Sequence, residues 1–307
     1  MGDKVCVVCG GDKVSLWSKC IDLEYLTSNE VYSYYKCDSC ISIFIDPMPI
    51  SKISEIYPAN YYSFSDAKRN LAVRVKEYLD KLVFARILSN IKKGEIKVLD
   101  VGGGSGWLLN IIRGIDARVN YTCVVDIDEK AKALAEKNGH HYFQGTIEEF
   151  TSDEKFDLVL MLNLIEHIRD PRETLVKIST MMSKGGITLI KTPNIESLDA
   201  RLFKKSYWGG LHCPRHWVLF SQKSFRHLVN GCDLSINKLK YTQGAPFWAW
   251  SFLITFQRLG LARITKERPV MFHPLIPLLH ILFATFDFIR GFFGFKTSQM
   301  FIELEKQ

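Results

Sequence analysis

The sequence predicts an α/β protein: a doubly wound, mostly parallel seven-stranded sheet, with a small cysteine-bearing module before it and an apolar helical insertion before its last strand. Three observations carry this. From residue 96 onward, strand-like and helix-like segments alternate, the pattern of right-handed crossovers between parallel strands. One segment, "FDLVLMLN", is almost continuously apolar, as expected of a central strand buried on both faces. Two Cys-x-x-Cys pairs precede the alternation. With 47% hydrophobic and 24% charged residues, the chain can bury a core and is not disordered by composition. Its net charge of +7 permits anionic partners without specifying nucleic acid. The opening residues are short and polar and carry two cysteines, so no signal peptide is read and a cytoplasmic location is expected. Eight cysteines in 307 residues do not suggest a disulfide scaffold.

Residues 1–45 form the first unit. "CVVC" places Cys6 and Cys9, and "CDSC" places Cys37 and Cys40, with short strands and turns between. Two such knuckles can arrange four thiolates tetrahedrally around a structural zinc ion, although the gap between them is longer than usual. Cys20, Cys123, Cys213 and Cys232 have no metal spacing and read as ordinary buried thiols. Residues 46–94 read as a Pro- and Tyr-rich connector followed by a helix over 68–92. Leu71, Val75, Tyr78, Leu79, Leu82 and Ile87 fall near one face of that helix, which is expected to pack on the core.

Residues 95–244 form the main domain. "IKVLDV", "YTCVVDI", "HYFQG", "FDLVLMLN", "ITLIKTP" and "CDLSINKLKYT" read as strands. "SGWLLNIIRG", "DEKAKALAEKNG", "PRETLVKISTMMSKGG" and "SQKSFRHLVNG" read as the helices between them, the last capped by Ser221. Residues 245–297 read as the apolar insertion, and "SQMFIELEK" in 298–307 as the final strand.

The loop "DVGGGSG" ends the first strand of the main domain, where ligands sit in such sheets. Dinucleotide binding would want a glycine where Trp107 stands, and a triphosphate loop would need a Gly-Lys-Ser/Thr that is missing. Asp100 just before the glycines would repel phosphate and welcome an ammonium, while Asp126 ends the next strand, where a carboxylate takes ribose hydroxyls. A ligand with ammonium, carboxylate and ribose but no phosphate is wanted, and S-adenosylmethionine has all three.

"VLDVGGGSGWLL", "VVDID", "GTIEEF", "FDLVLMLNLIEHIRDP" and "KGGITLIKTPN" occur in order, and together they resemble the successive motifs of class I S-adenosylmethionine-dependent methyltransferases. The resemblance covers roughly 95–242 and implies a Rossmann-like fold. It implies Asp100, Gly102, Gly104 and Gly106 around the methionine part of the cofactor, and Asp126 on the ribose. Ile127 would flank the adenine, Thr146 and Ile147 would lie near its edge, and Asn163 would open the loop lining the sulfonium.

Methyl transfer often needs a base. His167, at the end of the fourth strand, is one candidate, against a structural reading in which Glu166 and His167 cap the next helix and organise the loop. "WGGLHCPRHWVLF" supplies His216 as the second candidate; His212 is read as a packing residue. His212, Cys213 and His216 alone would make a poor zinc site, with three ligands crowded into five residues.

The insertion has no uninterrupted apolar run of the ~18 residues that a spanning helix needs. It holds six Lys or Arg against two Asp or Glu, and its Phe- and Trp-rich faces suit peripheral contact with the inner membrane surface. A lid or subunit contact is the plainer alternative. The cysteine module, core and "WGGLHCPRHWVLF" together resemble bacterial sugar and surface-glycan methyltransferases. That resemblance implies O-methylation of a sugar or lipid-linked glycan precursor in cell-surface polysaccharide biosynthesis. "LNLIEHIRDP" and "IKTPN" also resemble quinone-pathway O-methyltransferases, whose isoprenoid substrates would suit the apolar insertion. No nucleic-acid substrate is expected, because the basic charge lies in an apolar tail and not in a stacking groove. A non-catalytic binding module is the reading of another class. The acceptor atom and oligomeric state are not legible.

Overall fold

A computed structural model describes residues 4–58, 61, 71–204 and 207–307. Three short strands come first: β1 (Val14–Cys20), β2 (Tyr32–Cys37) and β3 (Ile43–Ile45). A single-turn helix α1 (Ile53–Ile56) and a long helix α2 (Leu71–Asn90) follow. The alternating region is β4 (Ile96–Val101), α3 (Trp107–Ile115), β5 (Val119–Asp126), α4 (Glu129–Lys137), β6 (His141–Gln144), β7 (Phe156–Leu162), α5 (Pro171–Met181) and β8 (Met182–Pro193). Next come α6 (Leu198–Leu202), the two-residue β9 (Val218–Leu219), α7 (Gln222–Val229) and β10 (Leu234–Thr242). Helices α8 (Ala245–Arg258) and α9 (Ile276–Phe292) precede β11 (Gln299–Lys306).

Seven strands form the main sheet in the order β10-β11-β8-β7-β4-β5-β6. The five from β8 to β6 are parallel, and β11 lies antiparallel between β8 and β10, as read for the final strand. Strand order reverses between β4 and β7, so the crevice above their carboxyl ends is the place for a ligand. Both faces of β7 are covered: Leu158 and Leu160 meet α2 and α3, while Val159 and Met161 meet Leu175, Ile178 and Phe225. Burial on both sides explains the unbroken apolar run. The helix read through Gly186 stops at Met181 instead. Met182 already pairs with Phe156, and the register shifts before Ile187 meets Leu158, so residues 183–186 form an irregular, bulge-like stretch in β8.

Helix α2 differs from its sequence reading. Only its last turns pack, through Phe84, Ile87, Leu88 and Ile91, over Ile96 and Val98. Val75, Tyr78, Leu79 and Leu82 are exposed, and the side chain of Leu71 lies outside the described residues. Of the residues grouped on one face from the sequence, Ile87 packs while Val75, Tyr78, Leu79 and Leu82 do not, because among the described side chains it is the C-terminal end of the helix that reaches the sheet.

A second sheet has the order β1-β2-β3-β9. Its last strand comes from the "WVLF" stretch, Ile43 pairing with Leu219 and Phe44 with Val218. The first 45 residues therefore share a sheet with a segment about 175 positions later, and Cys6, Tyr34 and Phe44 join Trp208, Trp217 and Val159 in one apolar cluster. Helices α8 and α9 pack on each other through Trp248, Leu253, Ile276 and Phe283. Buried Asp287 ties that hairpin to the sheet by accepting from the Gly244 amide at 3.1 Å and the Ser298 hydroxyl at 2.7 Å.

Candidate functional site

The glycine loop follows β4 at the reversal of strand order. Gly102, Gly104 and Gly106 all have left-handed backbone, with φ of 74°, 52° and 72°. Gly106 is required twice over: its φ penalises any side chain, and a Cβ there would lie 2.5 Å from Cδ2 of His140. His140 itself is buried, 2.8 Å from the Thr122 hydroxyl and 3.1 Å from Oδ1 of Asn110. It props the loop from below, a role that no spacing in the sequence signals. Burial, with Arg113 nearby, pushes its pKa down to about 4, so it is neutral.

Asp100 is 3% exposed, and its Oδ2 has no hydrogen-bond partner among the described residues. Burial first, then the charge of Asp126, pushes its carboxyl up to about 8. An uncompensated buried carboxylate in a glycine cradle fits an ammonium group. Asp126 accepts from the Gly104 amide at 2.8 Å and the Asp128 amide at 3.0 Å, which fixes its carboxylate beside the loop with lone pairs to spare.

The remaining cofactor candidates follow the neighbouring strands β5, β6 and β7. Ile127 follows β5 and is 55% exposed, offering an apolar surface. Ile147 is buried, whereas the exposed Thr146 hydroxyl and amide both donate to Glu149, at 3.2 and 2.9 Å. Asn163 follows β7 in left-handed conformation, φ 56°, and accepts from Nε2 of Gln299 at 2.8 Å. Asparagine tolerates that backbone better than most residues. Gln299, on β11, has no sequence signal of its own.

Beyond Asn163 the chain turns through Ile165–His167, and both histidine candidates converge there. The following helix is capped by Asp170, which accepts from the Glu173 amide, so Glu166 and His167 are not its caps. Nδ1 of His167 lies 3.0 Å from the Arg215 carbonyl and 2.8 Å from the Tyr57 hydroxyl. Nδ1 of His216 lies 2.8 Å from the Gly210 carbonyl. A carbonyl can only accept, so each ring carries its proton on Nδ1 and leaves Nε2 with a lone pair. The two rings stand 4.7 Å apart, and Nε2 of His216 lies 3.9 Å from Oε1 of Glu166. Glu166 is fully buried, and neither carboxylate oxygen has a hydrogen-bond partner among the described residues. Burial raises its carboxyl to about 8. His167 falls to about 3 by burial and the neighbouring His212, and His216 lies well below its usual range for the same reasons. Of the three, only His167 is partly open to solvent.

The cysteine module reaches this cluster. Asp22, in the loop after β1, pairs with Arg215 at 2.7 Å, both fully buried, and the guanidinium stacks 4.4 Å above the ring of Tyr25. Burial works against both charges, yet their attraction holds Asp22 below and Arg215 above their usual ranges. Glu24 bonds to Nδ1 of His212, whose Nε2 lies 3.1 Å from the Tyr61 hydroxyl. Burial raises Glu24 and lowers His212 relative to their usual ranges. His212 is therefore a buried structural residue, in line with its sequence reading. Gly209 is set against α8, where a Cβ would lie 2.6 Å from the Phe247 carbonyl. The segment 208–219 thus joins module, core and insertion, and Asp22, Glu24, Tyr57 and Tyr61 are site neighbours that sequence reasoning missed.

Cys6, Cys9, Cys37 and Cys40 bring their sulfurs within 4.8 Å of one another, and the Cys6–Cys40 and Cys9–Cys37 separations are both 3.6 Å. Thiolates about 2.3 Å from a tetrahedral zinc stand roughly 3.8 Å apart, so the four fit that ion. The fold thus brings together the four cysteines of the two Cys-x-x-Cys pairs.

A family profile described as a methyltransferase domain matches residues 70–239, more than half of the chain. The chain belongs to that methyltransferase family. The cysteine pairs and the α8–α9 hairpin lie outside the matched span. Among curated relatives, the ubiquinone biosynthesis O-methyltransferase of Rickettsia conorii is 30% identical over 114 residues, 36% of this chain and 39% of that protein. The protein of the same description from Actinobacillus pleuropneumoniae is 32% identical over 167 residues, 49% of this chain and 69% of its own length. The chain thus spans well under half of the first of these relatives. A solved coclaurine N-methyltransferase, bound to N-methylheliamine and SAH, superposes with a TM-score of 0.50 at 18% identity, covering 84% of this chain and 81% of its own. That likeness concerns the fold.

Proposed function

We propose that the chain transfers a methyl group from S-adenosylmethionine to a hydroxyl oxygen on a lipid-borne acceptor at a membrane surface. The observation that carries the donor is the unpaired, buried Oδ2 of Asp100 within the glycine loop, a site for the ammonium of the methionine part. Asp126 receives the ribose hydroxyls, Ile127 and Ile147 flank the adenine, and Asn163 stands by the sulfonium. S-adenosylmethionine supplies an electrophilic methyl carbon with thioether as leaving group. His167, the partly open member of the histidine pair, holds the acceptor hydroxyl through Nε2 and takes its proton as the oxygen–carbon bond forms and the sulfur–carbon bond breaks. His216 supports that ring from behind. Zinc at the four cysteines is structural in this reading and takes no part in the step.

The acceptor class rests on α9. Leu278, Ile281, Leu282, Ile289 and Phe292 form an i, i+3, i+4 stripe that is at least 49% exposed, and Phe288 beside it is 72% exposed. No helix among the described residues is long and apolar enough to cross a membrane. The chain between α8 and α9 carries Arg258, Arg263, Lys266 and Arg268, and basic charge together with an exposed apolar stripe suits an anionic lipid surface. The named relatives favour an isoprenoid quinone precursor as acceptor; a lipid-linked sugar is the second reading and rests on the resemblance of the whole layout to glycan methyltransferases.

Methyl-labelled S-adenosylmethionine, purified protein and membrane extract from native cells test this. Label entering the lipid fraction, and lost in Asp100→Ala, is the expected result. Its mobility, and its response to mild acid that cleaves lipid-linked sugars, separates ring from sugar. Label in nucleic acid or protein would overturn the acceptor assignment. Absence of S-adenosylmethionine binding would overturn the whole reading in favour of a binding module.

A further inference from the structure

We infer that Glu166, His167 and His216 form a second metal site, distinct from the four cysteines, for one divalent transition ion held by two imidazoles and a carboxylate. This deepens the function proposed above and rests on it for the ion's use, though not for its binding.

The three residues each bring one ligand atom within 4.8 Å of the other two. Ligands about 2.1 Å from a tetrahedral ion stand roughly 3.4 Å apart, so inward shifts of under about 1 Å close the set. The Glu166 carboxylate is fully buried with both oxygens unpartnered, an arrangement that burial penalises unless a cation or proton fills it. Of the groups around it, Arg215 is paired to Asp22 and His212 to Glu24, while the Thr192 hydroxyl and the Lys191 ammonium lie close enough to favour its ionised form. Both histidines anchor Nδ1 on backbone carbonyls, those of Arg215 and Gly210, which aims the Nε2 lone pairs away from the backbone. Metal-binding histidines are held in this way, the far nitrogen donating to a carbonyl. Two ligands come from the turn after β7 and the third from the segment before β9, so the covering segment is pinned onto the turn. His167 is the one member of the set that is partly open to solvent.

Two nitrogens and one carboxylate with a free position suit zinc, iron(II), cobalt(II) or manganese(II). A bound ion would be held by Glu166, His167 and His216 and would acidify the acceptor hydroxyl, so that its proton could pass to solvent as the oxygen–carbon bond forms and the sulfur–carbon bond breaks. With the ion bound, this route would replace proton transfer to His167.

Cobalt(II) tests this on the full chain. Apoprotein is titrated anaerobically with cobalt(II) while absorbance and bound metal per chain are followed. Two ions per chain are expected. The first gives the intense thiolate-to-metal bands of a four-sulfur site, and the second gives only weak visible bands without sulfur charge transfer. Glu166→Gln and His216→Gln each weaken the second ion at least ten-fold and leave the thiolate bands unchanged, which also reports that the fold is intact. One ion per chain, or a second ion bound equally well by both variants, overturns the site. Methyl transfer that persists undiminished under a chelator which removes only the second ion, with label still entering lipid, overturns its catalytic use and leaves His167 as base.

Discussion

A carboxyl group buried beside a glycine loop, with one oxygen unbonded, keeps its proton to higher pH than it would in water. Asp100 does so to about 8, against an unfolded value near 4. Between those limits the folded chain holds the extra proton, so this group's contribution to stability falls as pH rises. Binding a cationic ammonium reverses the situation, because it needs the ionised form. Affinity for S-adenosylmethionine is therefore expected to climb up to about pH 8 and then level off, with net proton release at pH 7. Calorimetry in two buffers of different ionisation enthalpy measures that release. Asp100→Asn should abolish the pH dependence and weaken binding roughly 10- to 100-fold, the worth of a charge-assisted contact; pH-independent binding by the native protein would count against the ammonium assignment. Gly106→Ala meets two penalties, about 1–2 kcal/mol for the left-handed backbone and the approach to His140, so urea unfolding should show a loss of at least that size. His140 adds an acid signature. Its folded pKa of about 4 lies below the unfolded value near 6.5, so its contribution is present above 6.5 and disappears as pH falls towards 4. A melting-temperature profile flattened over that window in His140→Asn would show it.

At the scale of elements, the cysteine module holds the covering segment through β9, Arg215 and His212. With zinc proposed at the four cysteines, a strong chelator is expected to disorder β1–β3 and release that segment, read as a red shift in tryptophan emission from buried Trp208 and Trp217. Unchanged emission after complete metal loss would mean that the module stands without its ion. Arg215→Met leaves Asp22 buried without its cation and should cost about 3–5 kcal/mol, more than an exposed ion pair such as Lys76–Asp80 would. The α8–α9 hairpin makes a different prediction. Each exposed apolar side chain contributes about 1.5–3 kcal/mol on full burial, against about 1 kcal/mol per basic residue near an anionic surface. Replacing Ile281, Phe288 and Phe292 by serine should therefore remove vesicle binding in a flotation assay, whereas raising salt should only weaken it. Binding indifferent to the three serines would assign that face to something other than lipid.

Across the whole molecule, the parts legible in the sequence are those written in local pattern. The apolar run of β7, the Ser221 cap, the glycine loop and the paired cysteines each follow from neighbours within a few residues, and all lie where the pattern puts them. What was not legible depends on long-range closure. Glu24 meets His212 across 188 positions, Tyr57 meets His167 across 110, and Gln299 meets Asn163 across 136. Nor could helical periodicity show which end of α2 reaches the sheet. The late position of β11 has a consequence for the making of the protein. β11 is made after every other strand of the sheet, so until residues 299–306 join, β10 lacks its strand partner and β8 keeps one edge open, with the α8–α9 hairpin already synthesised. The nascent chain is thus at its most adhesive just before closure, with two unpaired strand edges and an uncovered apolar helix showing together. Because Gln299 also holds Asn163, a chain stalled short of that strand has neither a closed sheet nor a fixed turn after β7.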